Sequence, residues 1–442
     1  MQTQGLNDSK RAIWIDRIIW LTACFMPLGF FPFPGIDIFD VVKGPLITIA
    51  GLSLFVLLVK EKRFDKSIEA KLLYLYMFLV FLASLFALEP LLAFVGALPT
   101  NIIDEHAYGR YEGFITILAY GILFYSAKNY IVITKKKINY LLTSLSIIGF
   151  YAIIQHFQYD PLVLYMNYPR LIFSTIGNQN FLASLMVMTI PLPCAMFILS
   201  NEKKKNTINL NSLFYLFVAF ILFSALIASK TRSAWIAFSL IFLLSILYCI
   251  IKQKHLFHLF IIILTFGLSI AFLNIEKSNS VSINKKALSI KEEINSQDEY
   301  GGSGRIKIWQ ITLKVVRKHP LLGAGPENLK PAMKRECKTD LQEYWRKKRT
   351  TIDKAHNEYL HVAAVNGIPA LLVLLCIYFY CYRNIYKNIL SNKNLEQNFL
   401  IFLMITAYLA QATFNISVIA VAPVFWILLG VCLNKNKLIE NN

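Results

Sequence analysis

The chain has 442 residues, 56% of them hydrophobic and only 16% charged, with a mean hydropathy of +0.52. A water-soluble domain carries more charge and shorter apolar runs, so that class is excluded. The formal net charge of +19 is not a nucleic-acid footprint, because the basic residues sit between apolar segments and not along one polar face.

Apolar runs of roughly twenty residues recur, the length that crosses about 30 Å of hydrocarbon as a helix. Spans are expected at 15–33, 43–59, 72–88, 113–126, 139–156, 181–199, 212–228, 233–251 and 256–274, then at 366–384, 397–413 and 416–433. The fold class is therefore all-α and polytopic, with about twelve transmembrane helices. The first span lacks a small-residue exit and is expected to remain as an anchor. Residues 1–274 form a membrane body, 275–356 one large polar loop, and 357–442 a C-terminal membrane part. With both termini in the cytoplasm, the inside segments collect Lys10, Arg11, Lys60, Lys62, Arg63, Lys135, Lys136, Lys137, Lys203, Lys204, Lys205, Lys252, Lys254, Arg383 and Lys387. The short outside loops hold only Lys43, Arg110, Arg170, Lys230 and Arg232. That asymmetry fits the positive-inside rule, from which loops longer than about 60 residues, such as 275–356, escape. The expected place is the cytoplasmic (inner) membrane, with the large loop outside.

Inside the loop, a polar stretch ends at Gly301-Gly302. The spacing then predicts a helix over Arg305 to Lys318, with Ile308, Trp309, Leu313 and Val316 on its apolar side and Pro320 closing it. Such a basic helix either lies on the membrane face toward anionic headgroups or covers the membrane body. A second charged helix is expected over Cys337–Arg349. A short one follows over His356–Val365, set off from the next span by Gly367 and Pro369. Of the seven cysteines, only Cys337 falls in this loop, so no disulfide framework is available there. No Cys/His spacing suggests zinc.

Four arginines stand in neighbourhoods poor in positive charge: Arg110 in YGRYEGF, Arg170 in NYPRLIF, Arg232 in SKTRSAW and Arg305 in GGSGRIKIW. Guanidinium binds phosphate oxygens through a planar fork, and such groups stabilise a pyrophosphate as it leaves without requiring a metal. Blander readings stand beside this one. Arg110 has Glu112 as a possible ion partner, Arg170 has Tyr168 as a fellow interface anchor, and Arg232 has a plain snorkelling role. His356 is the candidate for proton chemistry, since an imidazole takes a hydroxyl proton near neutral pH. His361 lies five positions on, which fails the zinc-protease spacing. Gly323-Ala-Gly325 lacks the third glycine, preceding strand and acidic residue of a dinucleotide fold, and nucleotide binding is rejected.

In order and membrane context, these residues resemble the O-antigen ligase and polymerase superfamily. The resemblance rests on Arg305-x-x-x-Trp309, His319-Pro320-x-x-Gly323-x-Gly325 and His356-Asn357-x-x-Leu360 with Gly367. It also rests on Gly177-Asn178-Gln179-Asn180 and Thr231-Arg232-Ser233-Ala234. It covers about residues 100–430. It implies an enzyme that transfers a glycan from undecaprenyl pyrophosphate to an acceptor hydroxyl on the outer face of the membrane, with inversion, no cofactor and no metal. By that analogy His356 activates or positions the acceptor and Arg232 and Arg305 hold the pyrophosphate. Arg170, Arg110, Asn178 and Asn357 complete the substrate site. The implied partners are the lipid-linked glycan donor, a glycan, lipid or protein acceptor and membrane lipid, with no nucleic acid. Polymerase and ligase share the donor site and are not separated by it. The alternatives from other classes are a secondary transporter of small anions, whose broken half-repeats are not evident here, and a non-catalytic flippase or scaffold.

Overall fold

The computed structural model describes residues 2–31, 39–61, 65–97, 110–160, 172–201, 208–275, 304–391 and 394–434. The described residues are helical with connecting turns. In chain order the helices are α1 (Gln2–Phe25), α2 (Asp40–Glu61), α3 (Ile68–Leu85), α4 (Pro90–Val95), α5 (Phe114–Tyr130) and α6 (Lys135–His156). There follow α7 (Gln179–Thr189), α8 (Pro191–Asn201), α9 (Leu213–Ala228), α10 (Arg232–Lys252) and α11 (Leu256–Asn274). The rest are α12 (Arg305–Lys318), α13 (Leu329–Glu336), α14 (Lys338–Lys348), α15 (Glu358–Leu390), α16 (Leu395–Ala412) and α17 (Ala422–Leu433).

Each of the twelve expected spans overlaps a helix, with α7 and α8 together making one. The first, 15–33, runs past the end of α1 at Phe25, its last two residues lying outside the described ones, and the last, 416–433, begins before α17 does at Ala422. Eight of the twelve are long and apolar enough by themselves to cross a membrane. The remaining four, α1, α5, α16 and α17, fall short for local reasons. The first opens on a polar stretch and α16 on Glu396, Gln397 and Asn398, while α5 has 17 residues and α17 only 12. Side-chain caps fix several starts: Ser67 takes the Ala70 amide, and Thr134 takes that of Lys137.

Polar contacts sort the helix ends into two sets, as an up-and-down bundle requires. At one end Asp16 accepts from the Val132 amide at 2.8 Å and pairs with Lys137 at 2.6 Å, and Lys128 meets Asp65 at 2.6 Å. Asn434 donates to Ala127 and Ile131 carbonyls there. At the opposite end, which carries α12–α14, His156 Nε2 lies 3.1 Å from the Leu273 carbonyl. Between the ends runs one apolar core, to which α7, α9, α15, α16 and α17 contribute most heavily. Large apolar side chains such as Leu52, Ile236, Phe260 and Leu268 point outward, more than half exposed. Exposed apolar area on this scale fits lipid as the surrounding solvent.

The loop helices build a second, smaller core. Ile308, Ile311, Val315 and Val316 of α12 pack with Leu329 and Met333 of α13, Tyr344 of α14, and Ala363, Ala364 and Val365 of α15. Thus α12 covers the start of α15, nearer to the plainer of the two expectations for it. One detail is corrected: Leu313, expected on the apolar side, is 43% exposed. The buried stripe runs 308, 311, 312, 315, 316, the i, i+3, i+4, i+7, i+8 series, and position 313 falls off it.

Candidate active site

His356 sits just before α15 with φ +49°, a left-handed conformation that costs a residue with a Cβ. The next residue, Asn357, is the N-cap of α15, its Oδ1 accepting from the Leu360 amide at 3.0 Å. A left-handed turn followed at once by a cap fixes where the imidazole leaves the backbone. Arg305 opens α12 directly after Gly304, whose φ is +71°. Burial of the Arg305 guanidinium pushes its pKa down. Arg110 pairs with Asp353, and its guanidinium lies 5.6 Å from the centre of the Phe181 ring. The sequence offered Glu112 as its partner; the structure replaces that with Asp353, which the sequence reading passed over.

These groups act on one another. Burial, and then the positive charges of Arg305 and Arg110, hold the His356 pKa below its ordinary value, against the opposing pull of Asp353. Burial works to raise Asp353, but the charges of Arg110, Lys354 and His356 and the Arg110 hydrogen bond bring it below the usual carboxylate range. At neutral pH the cluster is therefore a neutral imidazole beside one carboxylate and two guanidiniums. A neutral imidazole accepts a proton, and fixed cations favour an anion nearby.

The other motif segments reach the same end of the bundle. Four positions separate Arg305 from Trp309, so both lie on one helical face. Trp309 packs 6.2 Å from Phe414, just beyond α16. Its neighbour Asn415, with Gln411, donates to the Asn180 carbonyl, each at 3.2 Å. Thr231 closes the chain, 3.3 Å from the Gln179 carbonyl. Arg232 follows with its side chain exposed at the head of α10. Asn178 caps α7, with its Oδ1 taken by the Asn180 amide at 2.8 Å. The carbonyl oxygens of both Asn178 and Asn357 are thus engaged in capping. Arg170 lies outside the described residues.

The glycine turn has a packing role. Ala324 and Gly325 donate to the carbonyls of Ala364 and Val365 at 2.9 and 2.8 Å, and Ile368 donates to Pro320 at 2.8 Å. A Cβ on Gly323 would lie 2.3 Å from the Val365 carbonyl carbon, and one on Gly367 would lie 2.1 Å from the Leu321 oxygen. At Gly367, φ +86° kinks α15 where the turn docks. His319 is held by Glu336 at 2.6 Å. The motif therefore joins the loop, backbone to backbone, to the helix that follows His356.

Residues 217–375 match the O-antigen ligase family. The match supports the superfamily resemblance and takes in Arg232, Arg305, His356 and Asn357, the block that carries most of the motif residues. The matched segment thus includes the glycine turn and the start of its docking helix, while Arg110 and Asn178 come from outside it. A search of curated proteins gives no match for the chain.

Proposed function

We propose that this membrane protein moves a glycan from undecaprenyl pyrophosphate to an acceptor hydroxyl, on the outer face of the inner membrane. The observation that carries the reading is His356, set by a left-handed turn ahead of the α15 cap among the charges of Asp353, Arg305 and Arg110, where burial lowers its pKa. In the reaction, the His356 imidazole takes the acceptor proton while the acceptor oxygen attacks the anomeric carbon. The bond from that carbon to the pyrophosphate oxygen breaks, and the lipid pyrophosphate leaves with the electron pair. Arg305 and Arg232 neutralise the departing charge. Arg110, tied to Asp353, adds to the field around the imidazole and sets its surroundings.

The test uses the purified protein in proteoliposomes with undecaprenyl-pyrophosphate oligosaccharide and a candidate acceptor. Wild type consumes donor and releases undecaprenyl pyrophosphate. His356→Ala keeps donor binding but slows transfer by about 10²–10⁴-fold, the usual contribution of a general base. Transfer by His356→Ala at the wild-type rate would sink the base assignment. Uptake of a labelled small anion without any donor consumption would favour transport.

A further inference from the structure

Directly behind the His356 cluster, toward the bundle core, lies a small chamber of about 50 Å³ lined by Glu112, Glu327, Lys354, Glu358 and His361 among others. Its central contact is Lys354 Nζ to Glu327 Oε2 at 2.7 Å, with side chains only 5% and 2% exposed. The second oxygen of Glu327 accepts from the Glu112 amide at 3.2 Å. Glu327 itself is left-handed, φ +58°, at the end of the glycine turn. Tyr120 donates to Glu112 at 2.6 Å, and Tyr408 donates to Glu358 at 3.0 Å.

The places of these residues along the chain give the contact its meaning. Lys354 follows Asp353 and precedes His356 by two positions; Glu112 follows Arg110 by two. In both segments the groups of the His356 cluster and the groups of the chamber come from the same few residues. One buried carboxylate therefore ties together the segment bearing Arg110, the segment bearing Asp353 and His356, and the turn docked on α15. A buried ion pair is weak evidence for stability, because apolar residues of similar size often do as well. What such a pair supplies is a fixed distance between the Arg110 segment, the Asp353–His356 segment and the turn, beside the Arg110–Asp353 pair and the backbone bonds from the turn to α15.

We propose that Glu327 and Lys354 are positioning residues for His356 and Arg110, acting through the backbone of the segments they join. The proposal deepens the transferase reading and rests on it for the kinetic half of its test.

Three variants test it: Glu327→Leu with Lys354→Met, which removes both charges; Lys354→Arg, which keeps the pair; and Glu327→Asp, which shortens it by one methylene. Two readouts are taken. One is kcat and donor KM in proteoliposomes. The other is the pH dependence of diethyl pyrocarbonate modification of His356, followed by mass spectrometry, which needs no activity and reports the neutral imidazole. For the double variant, kcat should fall by roughly 10²-fold, the scale of a misplacement of about 1 Å, with donor KM within about 3-fold. Its His356 modification midpoint should rise toward the ordinary histidine value of about 6.5 as the ring escapes burial. Lys354→Arg should keep kcat within about 5-fold, and Glu327→Asp should fall between the two. Wild-type kcat and an unmoved midpoint in the double variant would overturn the proposal. If the double variant does not fold, the same pair of results in Glu327→Asp does so. Absence of transfer in wild type counts against the transferase reading alone, and the modification midpoint still decides the role of the pair.

Discussion

At the scale of single residues, the backbone of His356 is the feature to probe, because a left-handed φ on a residue with a Cβ costs about 1–3 kcal/mol. Asparagine tolerates that conformation better than alanine. His356→Asn should therefore melt close to wild type and His356→Ala lower, while both lose transfer; thermal unfolding beside the transfer assay checks this. The pH profile follows from the direction of the His356 shift. A lowered pKa keeps the imidazole neutral at pH 7, so activity is full there and falls only as pH drops through a value below about 6.5. Arg305→Gln removes a charge that pushes that value down, so the acid limb moves up in pH. Asp353→Asn removes the opposing pull and moves it lower. Rates measured across the acid range decide both signs. His356 and Arg305 were legible in the sequence from their settings, a polar junction and a glycine-rich entry. Asp353, Lys354 and Glu327 were not, because a charge in a polar loop looks solvated until the fold shows which of its neighbours bury it. Arg110 gave the misleading signal: Glu112 is near in sequence, yet its carboxylate turns to Tyr120.

At the scale of elements, the limits of α12 were legible because glycines precede it and a proline follows. Position 313 was misread because a leucine on a basic helix looks like core; the stripe 308, 311, 312, 315, 316 excludes it only when every apolar position is counted. The break at Gly367 was also legible, as glycine and proline two residues apart. Its purpose was not, since the partner turn lies more than forty residues earlier. Asn357→Ala should cost about 1 kcal/mol through the lost cap of α15, with Asn357→Asp nearly neutral, as read by thermal unfolding. Gly367→Ala should cost more, about 2 kcal/mol or above, because it combines a left-handed φ with a Cβ placed 2.1 Å from a backbone oxygen. The same experiment ranks the two.

For the whole molecule, eight helices among the described residues are long and apolar enough to cross a membrane, and the other four expected spans fall on helices that are shorter or more polar. The short α17 is an example, buried along its whole course and packed on α5. Orientation is testable directly. With the exposed native Cys376 replaced, a cysteine at exposed Arg346 in α14 should react with an impermeant maleimide in intact cells. One at exposed Lys136 should react only after permeabilisation. The reverse pattern would put the proposed reaction on the wrong face. The backbone bonds between 320–325 and 364–368 have a consequence for how such proteins diversify. The loop and the span after it are mutually fitted, down to Ala87 in the link after α3, whose Cβ would lie 2.3 Å from a Cβ on Gly325. Exchange of the loop between relatives works only as a cassette that begins before Arg305, ends beyond Pro369 and meets a small residue at position 87. A crossover between those limits would separate surfaces shaped for each other and leave His356 without a fixed frame.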